Sequence, residues 1–465
     1  MPPHKNQSLL IANRVILAFD RRPGLIPITG FLLLILVGTV LLSLPVSAAH
    51  GRLSWVDALF TATSASCVTG LITVDTASDL SRVGQWIVLA QIQVGGLGIM
   101  ILSTLFLLMA GRRLRRGGRM VIQDTFTHSG EWSPADVVRQ VLAYTLAIEG
   151  MGAALLFFRF LPEFGPGEAA RQGLFHAVSA FCNAGFSLFS DSLAVYRTDW
   201  AINGIICFLI ITGGIGFLVM AEVKTHLPWN RRRWARLSLH SRLAISASAL
   251  LVLLGTSALA GFEWHNTLAE MTGPQKLLAA FFQSVTTRTA GFNTIPIEQM
   301  ANESLFLVII MMVIGACPGS CGGGIKTTTL ATLLCLGVSK LRGWQKPQIF
   351  KRTVSEASVS RALSLTIVSI AVITMATFFL LISELKDIPY MDSRGQFLEL
   401  LFETVSAFGT VGLSAGITPA LSSVGKLIIT ATMFIGRIGP LVIIMALSRT
   451  REAKYYYAEE TIMVG

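Results

Sequence analysis

Charge is scarce in this chain of 465 residues: Asp, Glu, Lys and Arg make up 14% of it. A soluble globular domain carries about a quarter. Long polar stretches are missing as well, so no detachable soluble domain can be marked off. The sequence contains no HExxH, no GxSxG and no paired intramembrane aspartates, which leaves an intramembrane hydrolase without its chemistry. No GxGxxG lies between a strand pattern and a helix pattern, so the chain offers no NAD or ATP site of its own. Cysteines number six (Cys67, Cys182, Cys207, Cys317, Cys321 and Cys335), mostly in or beside apolar segments. Cys317 and Cys321 have a CxxxC spacing, but no histidine or further cysteine stands beside them to complete a four-ligand metal site. They read as small residues of a glycine-rich stretch.

What the chain has is apolar sequence: 52% of its residues are hydrophobic and its mean hydropathy is +0.64. Runs of about 20 apolar residues, enough to cross a bilayer core, recur near 25–46, 84–110, 136–160, 200–221, 243–262, 303–336, 362–383 and 424–447. No small-residue cleavage site follows the first run, so it reads as a retained span and not a signal peptide. Within each successive pair of spans lies a shorter half-apolar stretch: 55–66, 170–181, 274–286 and 396–407. These are too short to cross and too apolar for ordinary loops. Re-entrant segments fit them, because such backbone is tolerated at membrane depth beside protein or a water-filled path.

The net charge of +11 is placed as a topology signal and not as a nucleic-acid surface. Arg112, Arg113, Arg115, Arg116 and Arg119 lie in the first segment joining one pair to the next, with comparable clusters around Arg231, Arg232 and Arg233 and around Lys340, Arg342 and Lys346. Both termini are basic too. The positive-inside rule puts these segments and both termini in the cytoplasm. Arg231, Arg232 and Arg233 also suit lipid headgroups or a docking partner. On the opposite side Asp57, Asp75, Asp79, Glu163, Glu168, Asp191, Asp199, Glu263, Glu270, Glu298 and Glu303 flank the re-entrant stretches, a balance that concentrates cations.

The strongest signal is a fourfold repeat. Phe60, Phe175, Phe281 and Phe402 each precede a glycine by ten residues, and Gly70, Gly185, Gly291 and Gly412 are each followed by a large apolar residue. The unit reads as span, short helix, glycine-containing strand, span. A short helix that stops midway aims its negative C-terminal dipole at the membrane centre, and glycine gives the returning strand backbone angles that other residues resist. Four such strands around one axis present rings of carbonyl oxygens to a dehydrated cation. The strands are Cys67-Val68-Thr69-Gly70, Cys182-Asn183-Ala184-Gly185, Arg288-Thr289-Ala290-Gly291 and Gly409-Thr410-Val411-Gly412. The residues just before each glycine are small or β-branched and never charged, which favours selection by backbone dipoles. Arg288 is expected to brace its strand through an acidic neighbour such as Glu403. Repeats that all enter from one side also differ from the alternating repeats of an organic-substrate carrier.

These residues resemble the Trk/Ktr/HKT superfamily of potassium transporters, and most closely its bacterial Ktr membrane subunits. The likeness covers essentially the whole chain, including Glu459 and Glu460 near its end. The two extra N-terminal spans usual in Trk relatives are missing. The resemblance implies an all-α polytopic membrane protein with eight transmembrane helices and four re-entrant pore helices around one pore. It implies one filter glycine per repeat, matched by Gly70, Gly185, Gly291 and Gly412; glycine instead of serine at the first implies potassium. Further implications are a homodimer of complete pores and a cytosolic regulatory ring of the KtrA type that carries the nucleotide. Sodium would act as an activator or symported ion, and the bacterial cytoplasmic membrane would be the location. A sodium-permeable or poorly selective monovalent cation transporter of the same superfamily is the alternative.

The run 303–336 is too long for one straight span, and Pro318 with its neighbouring glycines cannot sustain a helix. It must break into two helices and a loop. Gly315, Ala316, Cys317, Pro318, Gly319, Ser320, Cys321, Gly322, Gly323, Gly324 and Lys326 match the family's intramembrane gating loop. Such a loop is expected to have few buried contacts and to open at low cost. Its likeness to a phosphate-binding loop fails because Ile325 separates Gly324 from Lys326 and no strand precedes it. Arg437, inside the last span, matches the family's arginine below the filter; snorkelling to the inner interface is its alternative. Lys326 divides between the gate and the headgroups, and Glu149 is expected to pair within the bundle. The organisation expected is a cytoplasmic N-terminus at 1–24 and pore repeats at 25–110, 136–221, 243–336 (gating loop 315–326) and 362–447. A cytoplasmic tail follows at 448–465.

Overall fold

The computed structural model describes residues 25–117, 134–225, 231–386, 388, 389, 391, 393 and 395–439. The expected cytoplasmic termini 1–24 and 448–465, Arg119, Arg394 and the last span beyond Gly439 lie outside these residues.

The protein is mostly helical. In chain order the helices are α1 Leu25–Leu42, α2 Trp55–Ser66, α3 Arg82–Gly117, α4 Pro134–Phe181, α5 Trp200–Ile215, α6 Phe217–Thr225 and α7 Arg231–Arg236. They continue with α8 Leu239–Glu263, α9 Gly273–Thr286, α10 Asn302–Val313, α11 Thr327–Leu341, α12 Glu356–Leu385, α13 Gln396–Gly409 and α14 Ser423–Ile438. A two-stranded antiparallel hairpin, β1 Gln348–Ile349 and β2 Arg352–Thr353, occupies the linker before α12. Short polar side chains fix where helices begin. The Ser54 hydroxyl accepts from the Asp57 amide at 3.1 Å, the Asp199 carboxylate from Ile202 at 2.9 Å, and the Ser422 hydroxyl from Gly425 at 3.1 Å.

By length and hydropathy four helices can cross a membrane: Arg82–Leu102, Ala135–Phe181, Leu239–Glu263 and Glu356–Leu385. Three expectations need correction or are met with a difference. The second re-entrant stretch is not set off by a loop: α4 runs through it and is only kinked at Gly165 (φ 73°), flanked by Pro162 and Pro166. Pro166 lacks an amide for the helix ladder and Gly165 takes the left-handed angle, so the chain turns without leaving helical hydrogen bonding for long. The run 200–221 is not one straight span: α5 and α6 are bent by 100° at Gly216 (φ 95°). The run 303–336 breaks as its composition demands, into α10 and α11 around a non-helical segment at 314–326.

The packing order is cyclic. Each unit's outgoing helix lies against the short helix of the next: α3 against α4, α5 against α9, α10 against α13, and α14 back against α2. Lys426 of α14 donates to Asp57 of α2 at 2.8 Å, joining the fourth unit to the first. The short helices are the best-buried elements, with Phe60, Phe282 and Phe402 fully enclosed and Phe175 at 3% exposure. Many of the long helices' large apolar side chains, among them Leu146, Phe158, Leu253 and Ile367, face outward, the pattern of helices solvated by lipid.

Candidate functional site

The four glycine segments share one backbone conformation. The residue two before each glycine is left-handed (Val68 φ 55°, Asn183 φ 60°, Thr289 φ 70°, Thr410 φ 49°), and so is the glycine (Gly70 97°, Gly185 69°, Gly291 79°, Gly412 90°). Left-handed angles are costly for β-branched Val68, Thr289 and Thr410, and such strain persists only where surroundings over-determine it. The amides are tied back to the short helices. Thr69 donates to the Ser64 carbonyl at 2.8 Å, Ala184 to Ser179 at 2.7 Å, Ala290 to Thr286 at 2.9 Å and Val411 to Ser406 at 2.8 Å.

The segments meet around an axis. A Cβ added to Gly70 would lie 2.5 Å from the Ala184 carbonyl oxygen; to Gly185, 2.8 Å from that of Ala290; to Gly291, 2.6 Å from that of Val411; and to Gly412, 2.1 Å from that of Thr69. Each glycine thus abuts the carbonyl before the next glycine, and the fourth returns to the first. The carbonyls of Thr69, Ala184, Ala290 and Val411 form a closed ring, and no side chain other than hydrogen fits at the four glycines. The pattern was legible in the repeat; the ring closure is a fact of the fold.

The loop 314–326 seals against this ring. Gly322 and Gly323 lie so close to the Thr289 and Thr410 hydroxyls that an added Cβ would come within 2.1 and 2.4 Å of them, and the Gly323 amide donates to Thr410 Oγ1 at 3.0 Å. Cys317 and Cys321 donate their amides to the Gly214 and Gly213 carbonyls at 3.0 and 3.2 Å, and the Phe217 amide donates to Gly319 at 2.9 Å. The bend at Gly216 therefore cradles the loop. Contrary to the expectation of a loosely held segment, Ala316, Cys317, Ser320 and Cys321 are buried. Both cysteines are free thiols. Arg437 donates to the Cys321 carbonyl and, at 3.0 Å, to that of Gly95. Lys326 turns back into the loop, its Nζ 2.5 Å from the Gly322 carbonyl.

Arg288 does not pair with Glu403. It leaves the end of α9 toward the loop, where it reaches Thr327 Oγ1 at 3.3 Å and Cys317 Sγ at 3.9 Å. Glu403, midway along α13, is occupied by Ser414, Ala415 and Thr418. Glu149 lies against the second strand: it accepts from Gln93 at 3.1 Å and from the Cys182 thiol at 3.7 Å.

A second set of glycines carries the short helices and was not singled out by the sequence. A Cβ on Gly95 would stand 2.0 Å from the Ser66 carbonyl oxygen, on Gly213 1.8 Å from that of Phe181, and on Gly436 1.9 Å from that of Phe408. These carbonyls hold the same position in three units, four residues before the ring glycine. The signal that marks them is the run Gly-Gly-Leu-Gly at 95–98, Gly-Gly-Ile-Gly at 213–216 and Gly-Arg-Ile-Gly at 436–439. Gly213→Ala and Gly436→Ala are each expected to destabilise the protein by about 1–3 kcal/mol, the cost of overpacking. The open helical positions Gly150 and Gly204, with nothing within 4 Å, should tolerate alanine. Thermal denaturation in detergent compares the two pairs; equal losses would remove the packing argument.

The family model described as TrkH, Cation transport protein, matches residues 29–455. Ktr system potassium uptake protein B of Bacillus subtilis is 37% identical over 94% of this chain and 95% of its own. Its counterpart in Vibrio alginolyticus is 39% identical over 94% and 93%. Potassium/sodium uptake protein NtpJ of Enterococcus hirae is 38% identical over 94% and 96%. The crystal structure of the potassium transporter TrkH from Vibrio parahaemolyticus shares the fold, with a TM-score of 0.69, 18% identity, and coverage of 90% of this chain and 84% of that one. The relatives are transport proteins and not enzymes, and the chain belongs to the TrkH cation transport family.

Proposed function

We propose that the chain is the pore-forming membrane subunit of a potassium uptake system, with the closed ring of carbonyls from Thr69, Ala184, Ala290 and Val411 as its selectivity filter. That ring is the observation that carries the reading: backbone dipoles at fixed spacing replace the water of a monovalent cation without a carboxylate that would hold a divalent one. Around it we place four span, pore-helix, span repeats, at 25–110, 136–221, 243–336 and 362–447, giving eight spans. α1, α3, α5 with α6, α8, α10 with α11, α12 and α14 supply seven, and the first limb of α4 the eighth. The loop 314–326 with Lys326 and Arg437 is the gate.

The relatives' names, protein B of a Ktr system, support a subunit that works with another component; the rest follows only from the resemblance to the Ktr membrane subunits. The subunit works with a cytosolic regulatory partner of the KtrA type that carries the nucleotide, and it works as a homodimer in a bacterial cytoplasmic membrane with both termini inside. Short basic linkers between the repeats leave regulation to such a partner. Sodium acts as activator or coupled ion. A second reading, passage of sodium as well as potassium, is favoured by the relative whose name couples the two ions.

The test is rubidium tracer uptake by a potassium-auxotrophic strain expressing the protein, with sodium and caesium as competitors. Growth at low potassium and rubidium uptake that sodium does not compete away support the proposal. Strong sodium competition selects the second reading, and no uptake at all, with the protein present in the membrane, overturns both.

A further inference from the structure

Two polar side chains lie behind the carbonyl ring at the same register, and neither belongs to the ring or to the loop. His176 and Glu403 each stand nine residues before their ring glycine, on α4 and α13. His176 Nε2 is 3.0 Å from the Ser187 hydroxyl and accepts from the Leu188 amide at 3.4 Å. Glu403 Oε1 accepts from the Ser414 hydroxyl at 2.5 Å and from the Ala415 amide at 3.0 Å. Ser187 and Ser414 are both two residues past the glycine, and Leu188 and Ala415 three. One hydroxyl and one amide of the chain leaving the ring therefore lie against the short helix at matching positions. Both donate to Glu403 Oε1 in the fourth unit, while in the second they share the one lone pair of His176 Nε2, and the Ser187 hydroxyl is also placed to donate to the Ser192 carbonyl at 3.2 Å.

The chemistry of each group suits its place. His176 Nδ1 is 2.9 Å from the Gln172 carbonyl, which can only accept, so the proton sits on Nδ1 and Nε2 is the acceptor that Leu188 requires. Glu403 receives a third donor, the Thr418 hydroxyl at 2.6 Å, so its partners all donate and an ionised carboxylate satisfies them. Both side chains are fully buried. The other two units have no such fastening: at the matching register stand Thr61, whose buried hydroxyl has no partner among the described residues, and apolar Phe282, opposite Ile72 and Asn293.

We propose that His176 and Glu403 are positioning residues for ion discrimination, each holding the outer end of its filter strand so that the carbonyl ring is anchored across one diagonal, through the second and fourth units. The inference rests on the filter reading above. Discrimination by size requires the ring to resist collapse onto a smaller ion, and two opposite anchors provide that resistance.

The experiment is rubidium and sodium uptake into proteoliposomes containing Glu403→Ala, Ser414→Ala, His176→Ala, Ser187→Ala and the double variants, with Gly412→Ala alongside. Removal of Glu403 is expected to lower the rubidium-to-sodium ratio about tenfold, the worth of one buried hydrogen bond to a charged group, and removal of the neutral His176 about threefold to tenfold, the worth of one neutral bond. The Glu403→Ala, Ser414→Ala pair should be no worse than Glu403→Ala alone, while Glu403→Ala with Ser187→Ala should multiply the two losses. If Glu403→Ala does not reach the membrane, Ser414→Ala, which removes a single hydroxyl, decides the matter. A normal ratio in these variants, with only the amount of folded protein reduced, overturns the positioning role if Gly412→Ala loses selectivity. If Gly412→Ala also keeps it, the filter reading itself falls.

Discussion

Gly70→Ser is expected to lower the potassium-to-sodium uptake ratio by about tenfold or more, since 1.4 kcal/mol of lost discrimination is already a factor of ten. Two effects combine at this position. With φ at 97°, the backbone is one that a residue with a Cβ adopts at a cost of roughly 1–2 kcal/mol. The new Cβ would also stand 2.5 Å from the Ala184 carbonyl oxygen and 3.1 Å from the Gly185 Cα. These are backbone atoms of the neighbouring unit and cannot swing aside as a flexible side chain would. The ring must deform at the junction of the first two units, and its carbonyls then no longer stand at the spacing that replaces the water of the larger ion. From the sequence the substitution is expected to leave the protein folded; the contacts call for that to be checked by gel filtration before uptake is compared. Rubidium uptake in the presence of graded sodium, at matched expression, gives the ratio. A folded Gly70→Ser protein with the wild-type ratio would count decisively against the carbonyls as the filter.

Much of the helical plan was legible because hydropathy and length are local properties. The ring glycines were legible for a similar reason: a left-handed backbone demand, repeated four times, leaves glycine in the same register each time. Gly95, Gly213 and Gly436 stayed hidden because their demand comes from another chain segment, a carbonyl of a short helix pressed against them, and a glycine in an apolar helix is otherwise unremarkable. The bend at Gly216 was illegible on the same ground, since glycine pairs are tolerated inside membrane helices and only the loop docked into the bend explains it. Pairing Arg288 with Glu403 was reasonable from charge alone. It failed because Glu403 finds its hydrogen bonds within its own unit, at Ser414 and Thr418, while Arg288 is carried past it to the loop. Arg437, which the sequence leaves divided between a place below the filter and the inner interface, donates to the loop carbonyl of Cys321.

Removal of residues 318–323 is expected to raise potassium flux by about tenfold or more and to free it from the cytosolic regulator. The deletion joins Cys317 to Gly324; because Ile314 and Ile325 pair in parallel, the four residues left between them cannot keep that bridge, so membrane insertion and folding of the deleted protein are checked first. What disappears is the part that lies against Thr289 and Thr410, which in the proposed gate closes the path below the ring. This part is held by the Cys321–Gly213 and Phe217–Gly319 backbone bonds, by Gly323 to Thr410, and by Arg437. At roughly 1 kcal/mol net for each neutral bond, this arrangement of the loop is favoured by a few kcal/mol, enough, if the loop is the gate proposed, to keep it closed most of the time. On that reading opening needs an outside source of free energy, which a regulator binding the open form preferentially would supply. Arg437→Ala should act in the same direction but less, because it removes the charge-assisted bonds to Cys321 and Gly95 and leaves the loop's own backbone bonds intact. Stopped-flow potassium flux in liposomes, with and without the regulator, separates the possibilities. A deleted protein that inserts and folds normally yet conducts only with its regulator would show that the barrier lies elsewhere on the path.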